Sequence, residues 1–368
     1  MMKLCNKVIN IPLTGFALII LAGLCLVCAN ADKIFNGCNS ISSFEQNLNS
    51  TFSNREEVLN AYGLTQKMLL KHETRNFEVL KSNGILYLND SGFSLEDFKV
   101  AAKANDIKAL KDAVDTYGGK FIFVQLPYKN VEGVPELKYY HLDKTETAEN
   151  LLVDLLYSKG IDVFDLRNYD ECCSVYRTDH HWTVGAAFNS ASKIYNYLDF
   201  DDSIFESKNY KTVSYENALL GSIGVKVGAS FAGKDDVFIY TPKYKTDFTF
   251  EHYVDHKLDM YHEGNFWNSF INEEMLEDTS YYNKYNALMY GAYEESVINN
   301  RIADNDESIL LISHSYGRAL APYLSLGVSE LRYLDPQPGR YNDNYLIYIE
   351  EHKPSVVIVA YNGDINVG

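Results

Sequence analysis

From about residue 106 to its end, the chain alternates between short runs of consecutive apolar residues and longer segments whose apolar residues recur every three or four positions. Runs of the first kind are the pattern of strands buried on both faces, and segments of the second kind are amphipathic helices. Strands are read at Lys120-Phe-Ile-Phe-Val-Gln-Leu, stopped by Pro127, and at Ile161-Asp-Val-Phe-Asp-Leu. Three more follow at Ser308-Ile-Leu-Leu-Ile-Ser313, Leu331-Arg-Tyr-Leu and Ser355-Val-Val-Ile-Val-Ala360. Helices are read at Thr147 to Ser158, from about Thr183, from about Arg318, and from Asn342 to Glu351. In the second of these, Val184, Phe188, Ala191, Ile194 and Leu198 share one stripe. Strand and helix in turn predict an α/β domain, a parallel sheet with helices on both faces.

Two stretches break this rhythm. Residues 201–300 are rich in Tyr, Asp and Asn and poor in long apolar runs, so they read as a large insertion lying over the sheet. Residues 32–105 read as a mixed helical N-terminal extension, with helix starts at Ser43-Phe-Glu-Gln and Ser94-Leu-Glu-Asp, where a hydroxyl cap precedes an acid in the first turn. Before them stand Lys3 and Lys7, an uncharged apolar run from Ile11 to Ala29, and Ala29-Asn30-Ala31. A basic start, an apolar middle and a small-x-small end make a secretory signal. The run also has about the 20 residues a membrane-spanning helix needs. Residues 1–31 are therefore expected to be a signal peptide or an N-terminal anchor, with residues 106–368 as an extracytoplasmic domain.

The formal net charge of -17 repels phosphate backbones and anionic lipid, and no basic stripe interleaved with aromatics overrides it. Nucleic acid is excluded as an expected partner. Of the six cysteines, Cys5, Cys25 and Cys28 belong to the targeting segment. Cys38 and the adjacent Cys172-Cys173 make neither a disulfide framework nor a zinc-finger spacing.

Two segments carry chemistry. The first is Tyr176-Arg-Thr-Asp-His-His-Trp-Thr183, between a strand and a helix. Asp179 and His181 are two apart, so in extended backbone their side chains share a side and the carboxylate can accept the Nδ1 proton of the ring. His180 must then point elsewhere. A solvent-facing polar turn or a metal site would explain the Asp-His-His string equally well. The second segment, Ile309-Leu-Leu-Ile-Ser-His-Ser-Tyr-Gly317, runs from a buried strand into a helix. A nucleophilic serine needs this place, where the first amides of a helix can hold an oxyanion. Ser315 is the candidate nucleophile and Ser313 its competitor, and hydroxyls capping the next helix would account for both. Tyr316 and Asn362 are candidate oxyanion or substrate-binding residues, Asn362 also fitting a turn in Asn-Gly.

Taken cyclically, the order of these pieces resembles an SGNH hydrolase, with the linear chain as a circular permutation of it. Arg177-Thr-Asp-His-His-Trp182 upstream and Ser315-Tyr316-Gly317 downstream, with Gln125-Leu-Pro-Tyr-Lys129 and Ala360-Tyr-Asn362, resemble the alginate O-acetyltransferase (AlgX/AlgJ) group and its DHHW relatives. The resemblance spans residues 106–368 in arrangement, through short motifs. It implies Asp179, His181 and Ser315 as a catalytic triad and acetyl transfer to an exported polysaccharide, with no coenzyme or metal. It also implies a membrane-bound acyltransferase as supplier of acetyl groups. The departure is Ser313-His314 where relatives often have Lys-Asp or Gly-Thr, which bears on the oxyanion geometry. Two other classes compete: a metal-dependent phosphoesterase using Asp179, His180 and His181, and a non-catalytic glycan-binding surface protein.

Overall fold

The computed structural model describes residues 28–32, 55–74, 78–89, 99–132, 134–140, 144–278, 284–337 and 340–363. The apolar run up to residue 27 and the helix starts expected at Ser43 and Ser94 lie outside them. Among the described residues, no helix is long and apolar enough to cross a membrane. The chain divides into two compact units, Met1–Tyr62 and Gly63–Gly368. In the first unit the described segments are largely helical.

The second unit begins within the helix Arg55–Met68 and continues into a small antiparallel sheet of β1 (Glu73–Thr74), β2 (Val79–Ser82) and β3 (Ile85–Leu88). Its main sheet contains β4 (Lys120–Gln125), β5 (Val163–Asp165), β8 (Phe248–Val254), β9 (Lys257–Gly264), β10 (Glu295–Asn300), β11 (Ser308–Ile312), β12 (Glu330–Leu334) and β13 (Val356–Tyr361). They lie in the order β5-β4-β13-β11-β12-β10-β8-β9. The first five are mutually parallel, and the last three add an antiparallel edge. The remaining strands, β6 (Tyr210–Leu219) and β7 (Asp235–Pro242), form a separate ribbon.

The five strands read from apolar runs are the parallel core of this sheet. Their residues alternate between two packed layers, as the period of two requires. Phe121, Phe123, Leu310, Ile312, Val357 and Val359 face helices α1 (Val100–Asp115), α2 (Thr145–Ser158) and α6 (Tyr345–His352). Ile122, Val124, Ile309, Leu311, Ile358 and Ala360 share the opposite core with α3 (Val184–Tyr197) and α5 (Gly317–Leu324). Each such fully buried branched side chain stabilises the fold by about 1.5–3 kcal/mol.

Residues 201–300 only partly stand over the sheet. The β6–β7 ribbon is apart, whereas β8, β9 and β10 extend the main sheet itself. Phe248, Phe250 and His252 are buried and alternate with more exposed neighbours, so β8 is a strand with one core face, not a buried run.

The parallel register brings several chain segments to one sheet edge, beyond the carboxyl ends of the strands. There β11 leads to Ser313–Tyr316, β13 to Asn362 and β4 to Leu126–Lys129. Ligands of open α/β sheets bind at this edge.

Candidate active site

The β11 ladder continues one residue beyond the strand, because the Ser313 amide donates to Leu334 O at 3.1 Å. The chain then turns through His314, Ser315 and Tyr316 into α5. Gly317 makes this turn possible: a Cβ there would lie 2.5 Å from the Tyr333 ring and 2.9 Å from Ser313 Cβ. The Tyr333 hydroxyl crosses under the turn and donates to His314 O at 2.8 Å.

The second segment lies in a short hairpin closed by pairing of Val175 with Trp182. The hairpin is bolted at both ends. Asp235 accepts the Arg177 and Thr178 amides at 2.9 and 2.8 Å, and the Thr178 hydroxyl at 2.5 Å. The Thr178 carbonyl receives the Ile223 and Gly224 amides at the start of the helix α4 (Ser222–Val227). From beneath, the buried Lys129 ammonium donates to the carbonyls of Tyr176, Arg177 and Asp179 at 2.7, 3.0 and 2.7 Å. Three acceptors match its three protons.

Within this frame Asp179, His181 and Ser315 meet, all buried to 5–6 % residual exposure. His181 Nε2 lies 2.7 Å from Ser315 Oγ, and its Nδ1 lies 2.5 Å from Asp179 Oδ1. The same oxygen accepts the His181 amide at 3.0 Å, and Oδ2 accepts the Ser222 amide at 2.6 Å. Burial alone would push the Asp179 carboxyl up, but the hydrogen bonds it accepts from His181 and from the Ser222 amide hold it well below its ordinary range. An ionised carboxylate only accepts, so Nδ1 carries the ring proton and Nε2 is left bare to accept the Ser315 hydroxyl proton. Burial keeps the His181 ring neutral, well below its ordinary value, against the pull of Asp179. Tyr285 stacks on that ring with centroids 3.9 Å apart and planes at 10°.

The competing serine is elsewhere. Ser313 is fully buried, and among the described residues its Oγ has no hydrogen-bond partner. Tyr316 is 1 % exposed, its hydroxyl spent on His180 O at 2.6 Å and its amide on His314 Nδ1 at 3.2 Å. Asn362 joins two strand ends: its Nδ2 donates to Pro127 O at 2.6 Å, and its Oδ1 accepts from His314 Nε2 at 2.7 Å. Both residues brace the turn that carries Ser315. The Ser315 amide itself has no acceptor among the described residues.

Asp179, His180 and His181 also place one ligand atom each within 4.8 Å of one another. A metal ion there would compete with bonds already made. Both nitrogens of His181 and both oxygens of Asp179 are engaged, and His180 Nδ1 lies 2.7 Å from Ser222 Oγ. Structural sites for divalent ions are built from ligands turned toward a common centre, and this cluster is turned toward Ser315 and α4.

Gly221, Ser222, Asp235 and the role of Lys129 are not evident from the sequence. Each acts through a contact tens of residues away, and no local spacing marks it.

No family model matches the sequence, and no curated protein matches it either. Solved structures do match in fold. A DHHW family protein from Eubacterium siraeum aligns with TM-score 0.58 and 17% identity, over 77% of this chain and 89% of that one. Bacillus cereus PatB1 aligns with TM-score 0.61 and 21% identity, over 79% and 97%. The O-acetyltransferase domain of Pseudomonas putida AlgJ superposes more loosely, with TM-score 0.41 and 11% identity over 77% and 90%. A mostly parallel α/β sheet that carries a buried Asp-His-Ser relay at its carboxyl edge is thus set on the fold of the DHHW family protein and of PatB1.

Proposed function

We propose that this chain is an extracytoplasmic serine-dependent O-acetyltransferase or acetylesterase acting on a cell-surface or exported polysaccharide. The observation that carries the reading is the continuous line Asp179–His181–Ser315, with His181 Nε2 2.7 Å from Ser315 Oγ. Ser315 is the nucleophile, His181 the general base and acid, and Asp179 the group that fixes the tautomer and stabilises the imidazolium.

Ser315 Oγ attacks the carbonyl carbon of an acetyl ester while its proton passes to His181 Nε2. The carbonyl oxygen takes the negative charge, toward which the Ser315 amide is available. Collapse expels the donor alcohol, which leaves with the proton from Nε2, and an acetyl ester remains on Ser315. An acceptor hydroxyl, from a sugar or from water, then gives its proton to Nε2 and attacks the acetyl-serine. Expulsion of Ser315 Oγ, reprotonated by His181, completes the cycle. The acetyl donor in this scheme is a membrane-bound acyltransferase product, and the acceptor a glycan hydroxyl.

The test is acetate release from a chromogenic acetate ester by the purified chain. Ser315→Ala abolishes release and chelator leaves it intact under this reading. Release that survives Ser315→Ala sinks it, and loss on chelation moves the assignment to a metal centre at Asp179, His180 and His181. PatB1 has been solved with a sulfonyl adduct. A sulfonyl fluoride is accordingly expected to label this chain at the peptide containing Ser315, read by mass spectrometry.

A further inference from the structure

Arg318 stands three residues after Ser315, at the start of α5, and its amide donates back to Ser315 O at 3.3 Å. Its side chain is buried, at 5 % exposure. The guanidinium carbon lies 5.2 Å from the centre of the Tyr285 ring, the ring that stacks on His181. Cation, phenol and imidazole therefore form one contiguous group beside the nucleophile.

What sets Arg318 apart among the described arginines of the second unit is its lack of a counter-ion. Arg167 pairs with Asp165, Arg177 with Asp235, Arg301 with Asp247 and Glu263, Arg332 with Glu330 and Glu295, and Arg340 with Asp335. Among the described residues Arg318 has no carboxylate in ion-pair contact, and its Nε is buried with no acceptor. Its Nη1 has the neutral Asn286 Oδ1 at 2.5 Å. Asp335, whose charge it feels, is already held by Arg340. The start of a helix is also its positive end, where a cation is disfavoured. Acid is not scarce, since the chain has 50 Asp and Glu against 33 Lys and Arg. A buried charge is normally retained only with compensation, and in an acyl-transfer site the missing partner is an anion that arrives with, or forms on, the substrate.

We propose that Arg318 is the anion-binding residue of this site, its guanidinium taking a carboxylate-like oxygen at the reaction centre. This rests on the serine-enzyme reading above. The oxygen has two possible sources, the oxyanion formed on the acetyl carbonyl and a carboxylate carried by the substrate.

The experiment compares wild type, Arg318→Gln and Arg318→Lys on a neutral acetate ester and on one bearing a carboxylate, with Ser315→Ala as control and melting curves as the check on folding. An oxyanion role lowers kcat of Arg318→Gln by about 10²-fold or more on both esters with KM little changed. A substrate-carboxylate role raises KM for the charged ester alone, and Arg318→Lys recovers part of either loss. A folded Arg318→Gln with unchanged kcat and KM on both esters overturns the proposal. A wild-type measurement stands independently of the variants: acetate ion competes with the neutral ester and acetamide does not, and equal inhibition by the two also overturns it. Should Ser315→Ala retain activity, the serine reading itself has failed; should only the Arg318 results fail, that reading stands and this inference falls.

Discussion

Gly221 lies against Asp179 so closely that a Cβ on it would fall 2.2 Å from Asp179 Cβ and 2.4 Å from Oδ2. This contact lets the next amide, Ser222 N, reach Oδ2 at 2.6 Å while the Gly221 amide donates to Thr178 Oγ1 at 2.8 Å. Any side chain at 221 must push the carboxylate or the start of α4 aside. Gly221→Ala is therefore expected to cost about 1–3 kcal/mol in stability. It is also expected to lower kcat on an acetate ester by about 10²-fold, the scale of a 1 Å misplacement. Urea unfolding and steady-state kinetics on the same variant check both; wild-type kcat would show that the Gly221 contact does not position Asp179.

The neutral state of His181 sets the pH dependence. The base must be unprotonated, and burial places its titration below the ordinary imidazole value of 6.5 despite the Asp179 carboxylate. The active form is therefore retained as pH falls through 6.5, and kcat/KM on a neutral ester is expected to stay on its plateau there, with its acid limb lower. Asp179→Asn lets an amide N–H donate to Nδ1, which moves the ring proton to Nε2 and removes the base, and is expected to lower kcat by on the order of 10³–10⁴. An acid limb at or above 6.5 in the wild type would contradict the buried, neutral imidazole.

The parts of this structure that the sequence displays are those with a local signature. Strands β4, β11 and β13 are buried on both faces, so each reads as an apolar run. Ser315 is visible because such a run passes into helical spacing across small residues, and Asp179 and His181 because their spacing of two marks a pair. The structure joins that pair across a bend at the hairpin tip, where the His181 amide also donates to Asp179 Oδ1, and not along the extended backbone expected. Strand β8 carries its pattern too, in the alternation of Phe248, Phe250 and His252, but its polar positions dilute the run and the segment reads as an insertion. Lys129 is the opposite case. Its three acceptors lie 47, 48 and 50 residues ahead, and only the fold brings them over one ammonium. Tyr316 and Asn362 stand where expected, yet their polar groups hold backbone and His314, which no spacing distinguishes from facing a substrate.

Lys129 gives a prediction that separates support from chemistry. It touches neither Ser315 nor the His181 ring in its hydrogen bonding, and burial lowers its ammonium to about 7, opposed by Asp179 and Asp235. Lys129→Met fills the space without the donors and leaves the Tyr176 and Asp179 carbonyls short of partners, while Arg177 O keeps the Leu86 amide at 2.8 Å, at about 1–3 kcal/mol for each group left unsatisfied. The expected result is a clear drop in melting temperature together with reduced kcat. A variant as stable as wild type would mean that water replaces the ammonium and that the loop does not depend on it.

Acid sensitivity of the whole fold follows from three buried rings. His181 bridges Asp179 and Ser315, His252 sits between Ser296 Oγ and Met289 O at 2.8 and 2.7 Å, and His314 between the Tyr316 amide and Asn362. Burial is the main cause that lowers all three from 6.5, His252 to about 3 and His314 to about 4. A histidine lowered in the folded chain contributes fully above its unfolded value and loses that contribution as pH falls toward its folded one. The unfolded chain therefore gains three protons between 6.5 and about 4 that the native chain refuses. Each ring is expected to lower stability through this window by on the order of 1 kcal/mol per pH unit, and the Glu149 carboxyl, raised to about 7 chiefly by burial, takes up a proton in the native chain over the same range and offsets about one ring's share. Urea unfolding from pH 7 down to 5 measures the slope, and His252→Gln, remote from Ser315 in the fold, should remove one ring's share of it while shifting the curve by a constant. A slope unchanged in that variant would show that His252 is protonated in the native state as well.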